Sequence, residues 1–130
     1  ARLPAMSDPR IVPHHGVTPS LAASVFVADT ARVIGDVEIG EASSIWYGAV
    51  VRGDVFHIRI GARVNIQDMT MIHVTTDRFA TVIEDDVTVG HKAMLHGCTI
   101  RRGIYCHRRM HLMGRVKPVT VSETRATELS

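Results

Sequence analysis

Residues 72–100 open with Ile72-His73 and continue, after a break at 75–80, into Val89-Gly90-His91-Lys92-Ala93-Met94-Leu95-His96-Gly97-Cys98. Aliphatic residues recur there at six-residue intervals, at Ile83, Val89 and Leu95. A six-residue period matches neither the turn of an α-helix nor the two-residue alternation of an ordinary strand. It predicts a parallel β-helix, a solenoid in which each hexapeptide supplies one edge of a narrow triangular core.

The same period runs through four coils, and the first, second and third positions of successive coils define three columns. The coils are Leu21, Val27 and Val33; Ile39, Ile45 and Val51; Ile60, Ile66 and Ile72; and Ile83, Val89 and Leu95. Two steps exceed six residues, Val51 to Ile60 by three and Ile72 to Ile83 by five. Both insertions follow a third position, and loops that leave at one corner are typical of stacked repeats. The sequence therefore predicts an all-β parallel β-helix of about four coils.

Three histidines occupy related places in these columns. His73 and His96 each directly follow a third-column residue. They are 23 residues apart, which is one 18-residue coil plus the five-residue insertion. We therefore expect them to stack about 4.8 Å apart, the spacing of neighbouring strands. His91 lies two residues past the second column, one coil above Asp68. One chain thus offers two histidines on one edge and a third on another, which predicts a site completed by a second copy.

Several motifs within residues 24–100 resemble the gamma-class carbonic anhydrase-like family. They are Ser44-Ile45-Trp46-Tyr47-Gly48-Ala49-Val50-Val51-Arg52-Gly53-Asp54, Ile58-Arg59-Ile60-Gly61, Asn65-Ile66-Gln67-Asp68, Ile72-His73, and Val89-Gly90-His91 through Leu95-His96-Gly97-Cys98-Thr99-Ile100. Members of that family are left-handed β-helix homotrimers with zinc at each subunit interface, so the resemblance implies this fold and assembly. It also implies that His73 and His96 bind the metal from one chain and His91 from its neighbour. Zinc is the implied cofactor, although imidazole ligands also suit Fe2+ or Co2+.

The implied activity is the reversible hydration of CO2 to bicarbonate by a metal-bound hydroxide, because three imidazoles leave a fourth position of zinc open to water. By the same resemblance Gln67 orients that water, and Asp54 matches an active-site or interfacial carboxylate. Arg52 and Asp68 match an arginine–carboxylate pair that joins neighbouring subunits. The implied partners are further copies of this chain, and the implied substrate is CO2 or bicarbonate.

Two departures from the family leave other functions open. The loop at 75–80 is short where the best-characterised active members carry an acidic loop, and Val55 follows Asp54 where a glutamate would serve proton transfer. Metal binding is therefore better supported than fast hydration. The competing hypotheses are a hexapeptide acyltransferase, which shares the fold and uses one histidine, and a metal-binding or scaffold β-helix without catalysis.

The charge is divided unevenly along the chain. Residues 1–100 contain eight Lys/Arg and eleven Asp/Glu, for a net −3, whereas residues 101–130 contain seven and two, for a net +5. Because the basic charge belongs to the C-terminal segment, the overall +2 does not predict a nucleic-acid partner.

No segment approaches the roughly 20 apolar residues of a membrane span. Two cysteines without a CxxC motif form no disulfide framework, and we expect a cytoplasmic protein with no membrane contact.

Three segments follow from these patterns. Residues 1–20 hold four prolines and little periodicity, and are predicted to form an extended N-terminal arm. Residues 21–100 form the β-helix domain. Residues 101–130 are predicted to be a non-repeat basic tail that is disordered. Family members continue with further coils and a helix, so the chain is expected to be cut short or altered after about residue 100.

Overall fold

The computed structural model describes residues 8–113, which form a parallel β-solenoid without helices. None of these residues belongs to a helix that could cross a membrane. The strands are β1 Ile11–Val12, β2 Ser20–Leu21, β3 Phe26–Val27, β4 Arg32–Ile39, β5 Ser44–Ile45, β6 Val50–Ile60, β7 Asn65–Ile66, β8 Met71–His73, β9 Thr81–Ile83, β10 Thr88–Val89, β11 Met94–His96, β12 Thr99–Ile100, β13 Tyr105–Cys106 and β14 His111–Met113.

Strand register confirms all three predicted columns. Successive coils pair in parallel, so that each column residue lies opposite its counterpart one coil away. The first column is Leu21, Ile39, Ile60, Ile83 and Ile100. The second column is Val27, Ile45, Ile66, Val89 and Cys106. The third column is Ile11, Val33, Val51, Ile72, Leu95 and Leu112. Full burial of one such aliphatic side chain contributes about 1.5–3 kcal/mol, so the columns are the main source of stability.

The solenoid has five coils rather than four. Ile100, Cys106 and Leu112 keep the six-residue spacing and form the fifth coil, in which β13 pairs with β10 and β14 pairs with β11. The prediction that the repeat ends at Ile100 is therefore wrong for residues 101–113. The interruption by Arg101-Arg102 and Arg108-Arg109 hid the period, but these arginines lie on exposed turns, where charge is compatible with the repeat. The predicted disorder of residues 101–130 is likewise wrong for residues 101–113, which form paired strands, whereas residues 114–130 lie outside the described residues.

The N-terminal arm is also part of the solenoid where it is described. Ile11 pairs with Val33 and extends the third column by one position. Arg10 crosses the first coil, and its guanidinium donates both to the Asp8 carboxylate and to the carbonyl of Val27. The arm thus covers the third-column edge of the first coil, and Arg10 reaches the second column. Residues 1–7 lie outside the described part of the chain.

Tight turns follow the first and second columns, and their third residue has a left-handed backbone. After the first column these residues are Ala42, Arg63, Asp86 and Gly103; after the second they are Gly48, Met69, Lys92 and Arg109. The φ values lie between +55° and +76°, a region that costs a residue with a Cβ atom about 1–2 kcal/mol. Repeated strain of this kind is tolerated because the hydrogen bonds between coils fix the turn geometry.

Replacing Ala42 by glycine should stabilise the fold. Ala42 is exposed and has φ 57°, so Ala42→Gly relieves left-handed strain while the Ser24 hydroxyl still accepts the hydrogen bond from its backbone N–H. Glycine also adds entropy to the unfolded chain, which offsets part of the relieved strain. We therefore expect a net increase of about 0.5–1 kcal/mol in the free energy of unfolding. Ala23→Gly is the matched control, because Ala23 is also an exposed turn residue but has no positive φ. Urea denaturation should show Ala23→Gly unchanged or less stable; equal effects of the two substitutions would contradict the strain argument.

Both cysteine thiols should resist modification until the solenoid unfolds. Burial raises the pKa of Cys98 and of Cys106 to about 12, and both are free thiols. The thiolate is the reactive form, so at pH 8 we expect slow labelling by a disulfide reagent in buffer and fast labelling in denaturant. Because the pKa is raised in the folded state, the free energy of unfolding should fall as pH rises from about 8.5 towards 12. Fast labelling of the native protein at either thiol would show that the core around that cysteine is open.

Candidate metal centre

His73 and His96 stand together on the outer surface of the third column. They end strands β8 and β11, whose preceding residues, Ile72 and Leu95, point into the core. Strand alternation therefore turns both imidazoles outward. The two histidines are register partners, and their ring centroids lie 5.1 Å apart at an interplanar angle of 58°. The predicted stacking one coil apart is confirmed.

Asp54 is held against His73 by the long strand β6, which carries the chain past the third column without a turn. The Nε2 atom of His73 donates to Oδ1 of Asp54 at 2.7 Å, and Nη1 of Arg52 lies 3.3 Å from Oδ2. The Asp54 side chain is only 15% exposed. Burial by itself raises the pKa of Asp54, but the His73 hydrogen bond and the charges of His73 and Arg52 outweigh burial and lower the pKa. Asp54 is thus a carboxylate that fixes the orientation of one of the paired imidazoles.

Arg52 does not meet its predicted partner Asp68 within one chain. Its ion pair is with Asp54, whereas Asp68 lies at the turn after the second column, where its Oδ1 is 3.3 Å from Nδ1 of His91. The Nε atom of Arg52 is buried and has no hydrogen-bond acceptor among residues 8–113. The Arg52 side chain as a whole is 42% exposed, which leaves its guanidinium accessible to a further acceptor.

His91 lies on a different edge from His73 and His96. It occupies the turn after β10, and its side chain is 57% exposed. Gln67 follows β7 near this edge, one coil below, and is half-buried. No set of three or more His, Cys, Asp or Glu side chains within residues 8–113 is arranged to hold a metal ion. A single chain therefore presents a pair of imidazoles and a separate third imidazole.

The corner that carries Asp54 also carries two histidines that the N-terminal arm prediction left out of the site. His14 and His15 belong to a turn closed by paired bonds between His14 and Val17, and their rings lie 4.2 Å apart. Together with Asp54 and Asp77 they line a pocket of about 220 Å3. The sequence feature that could have predicted this placement is Ile11, an aliphatic residue 22 positions before Val33 in the third column. It was missed because no other coil repeats that spacing.

Comparison with known proteins finds relatives that are named carbonic anhydrases. No family model matches the chain. Gamma carbonic anhydrase 2, mitochondrial, of Arabidopsis thaliana is 52% identical over 88 residues, which is 64% of this chain and 32% of that protein. A carbonic anhydrase of Geobacillus kaustophilus is 49% identical over 92 residues, or 71% of this chain and 50% of that protein. The chain thus spans about a third to a half of the length of these relatives.

Solved structures and a further relative carry transferase names. A hexapeptide transferase family protein of Anaplasma phagocytophilum superposes with a TM-score of 0.65 at 34% identity, over 91% of this chain and 89% of that one. The uncharacterized transferase YtoA of Bacillus subtilis is 47% identical over 71% of this chain and 53% of its own length.

The three columns and the outward histidine pair define a hexapeptide-repeat protein with a parallel β-solenoid fold. Within that class, the chain belongs to the gamma carbonic anhydrase-like family of hexapeptide-repeat proteins.

Proposed function

We propose that this chain is a subunit of a metal-dependent carbonic anhydrase that hydrates CO2 reversibly to bicarbonate at the interface between copies. The observation that carries the proposal is the division of the three histidines. His73 and His96 stack on one edge, whereas His91 stands exposed on another. The carbonic anhydrase names of relatives that are about half identical to this chain support the same chemistry.

The donor set fits a metal ion such as zinc. His73 and His96 of one chain and His91 of a neighbour would hold it, and three neutral imidazoles are a known catalytic zinc set, with Fe2+ or Co2+ as alternatives. Once bound, the metal supplies Lewis-acid activation of water near neutral pH. The hydrogen bond from His73 to Asp54 is the kind of outer contact that orients metal-binding histidines.

The residues around the histidines have separate roles in this proposal. Asp54 holds the imidazole of His73 in one orientation, and Arg52 balances the charge of Asp54. Gln67 carries an amide that can both donate and accept, and we assign it the orientation of the attacking water. The backbone of Arg52 pairs with that of Ile34 one coil below, and the N–H of Gln67 donates to the carbonyl of Val89 one coil above, so both positions are anchored in the solenoid.

The assembly proposed is a closed homotrimer, in which each interface joins two different edges. Such a heterologous interface closes into a ring when the rotation per subunit is one third of a turn. The Arg52 side chain is 42% exposed on one edge, and Asp68 is a 40% exposed carboxylate on the other edge. A pair between Arg52 of one chain and the Asp68 carboxylate of the next would bring opposite charges together at the interface. We also propose a cytoplasmic location, which suits two buried, unpaired cysteines.

An acyltransferase is the second candidate, favoured by the hexapeptide transferase family protein of Anaplasma phagocytophilum, whose solved structure shares the fold at 34% identity. Its chemistry would use one histidine as a base and would need no metal. A solenoid that binds metal without catalysis is the third. Metal content separates the acyltransferase from the other two, and a CO2 hydration assay separates the enzyme from the inert metal protein.

Elemental analysis of the purified oligomer should find about one metal ion per chain, as expected for one three-histidine site per interface. His73→Ala, His91→Ala and His96→Ala should each abolish binding, because two imidazoles hold zinc poorly. Asp54→Asn should keep the site but weaken its metal affinity by about 10–100-fold. The solvent-exposed His15→Ala is the matched control and should leave metal content unchanged. Full metal content in any of the three ligand variants would refute this ligand set.

Mixing two inactive variants tests whether the site is shared. His91→Ala chains still carry His73 and His96, and His96→Ala chains still carry His91. In a closed mixed trimer one junction of the three joins these in the correct order, so about a third of the sites should be restored. Co-refolding the two variants should therefore recover part of the metal binding and part of the CO2 hydration, measured by stopped-flow with a pH indicator. Mixed trimers that remain metal-free would refute the cross-subunit site.

A further inference from the structure

The turns after the second column change from neutral or acidic to basic at the upper end of the solenoid. This turn contains Tyr47-Gly48 in the second coil and Asp68-Met69 in the third coil. It contains His91-Lys92 in the fourth coil and Arg108-Arg109 in the fifth coil. The four basic residues line one pocket of about 390 Å3. We refer to Lys92, Arg108 and Arg109, with His91 beside them, as the cationic corner.

Backbone packing brings these side chains together. Arg108 stacks over His91, and Arg109 stacks over Lys92, because the N–H of Arg109 donates to the carbonyl of His91 at 2.8 Å. Gly90 permits this approach, since a Cβ atom there would lie 2.6 Å from the backbone nitrogen of Arg108. Adjacent coils are about 4.8 Å apart, so three permanent positive charges are confined to a small area.

These charges are not neutralised within the described part of the chain. Lys92, Arg108 and Arg109 have no ion pair among residues 8–113, and the fifth coil, residues 99–113, contains no Asp or Glu. The carboxylate of Asp68 pairs with His91, below them. Arg102, in the turn after the first column of the same coil, does have acidic partners. Its backbone N–H donates to the Glu84 carboxylate, and its guanidinium lies 3.8 Å from the Asp86 carboxylate.

We propose that the cationic corner binds a small phosphate-bearing molecule, in which a diphosphate group spans Lys92 and the two arginines. Guanidinium groups present paired donors that match phosphate oxygens, and a lysine adds a point charge. A multiply charged anion also relieves the mutual repulsion of the three cations. The volume of the pocket falls in the range of small-molecule sites. None of its three permanent charges is a proposed metal ligand, whereas His91, which lines the same pocket, is one, so the cationic corner adjoins the proposed metal site.

Isothermal titration of the full chain with pyrophosphate tests the proposal. The titration uses metal-free His73→Ala protein, so that pyrophosphate cannot report binding to a metal. We expect saturable binding at low ionic strength, tighter than that of orthophosphate. Arg108→Gln combined with Arg109→Gln should weaken it about tenfold or more, as expected when charge-assisted hydrogen bonds are lost. Arg101→Gln combined with Arg102→Gln removes the same charge from the same coil and should change the affinity less than about twofold.

Several outcomes would overturn the site. Equal weakening by the two arginine pairs would show a non-specific charge effect, and absence of pyrophosphate binding would refute the pocket directly. A single-stranded DNA oligonucleotide that binds more tightly than pyrophosphate, with equal dependence on both pairs, would indicate a nucleic-acid surface instead. Lys92→Gln provides a second variant where the double substitution disturbs folding, as judged by thermal unfolding, and it should weaken pyrophosphate binding in the same direction. Because the assay is performed without metal, failure here leaves the proposed hydration site untouched.

Discussion

Parallel hydrogen bonding between successive coils is the interaction on which the rest of the molecule depends. A residue in one coil lies directly beside the residue at the same position in the next coil, as Ile72 lies beside Leu95. Side chains therefore stack in columns, and whatever follows a column residue stacks as well. A shift of one residue would exchange the inner and outer faces of the strand. The buried aliphatic columns oppose such a shift, so the register of the outward-facing side chains is fixed by the core.

The outward histidine pair is a direct consequence of this register. His73 and His96 are far apart in the chain, yet each follows a buried third-column residue, and the five-residue insertion between them leaves at the corner without disturbing the stack. Asp54 reaches the same surface because β6 continues for eleven residues instead of turning. The buried apolar columns thus align these polar side chains in a row on the outer surface. His91, by contrast, lies in the turn after the second column. A site that needs both edges must be completed by association of copies.

The stacking of coils also decides which charged side chains lie next to one another at the turns. In the turn after the first column, the acidic residues of the fourth coil meet Arg102 of the fifth, and these charges offset one another. In the turn after the second column, Lys92 meets Arg109 and no carboxylate in the described coils stands between them. The difference between the two corners comes from which residues the stacking places side by side, and overall composition does not reveal it. A net charge of +2 conceals one neutralised corner and one that is strongly positive.

The sequence by itself determined the columns, the insertion corner and the edge on which each histidine lies, because all of these follow from counting in sixes. It also supported the family, since the motifs lie on those same positions. The fifth coil was missed because Cys106 replaces an aliphatic residue between two arginine pairs, although its spacing was regular. Only the tertiary structure decided that Asp54 binds His73 and that Arg52 leaves a buried nitrogen without an acceptor among the described residues. Those contacts depend on side-chain directions along an irregular excursion, where the repeat no longer dictates position, and on groups brought together from separate coils.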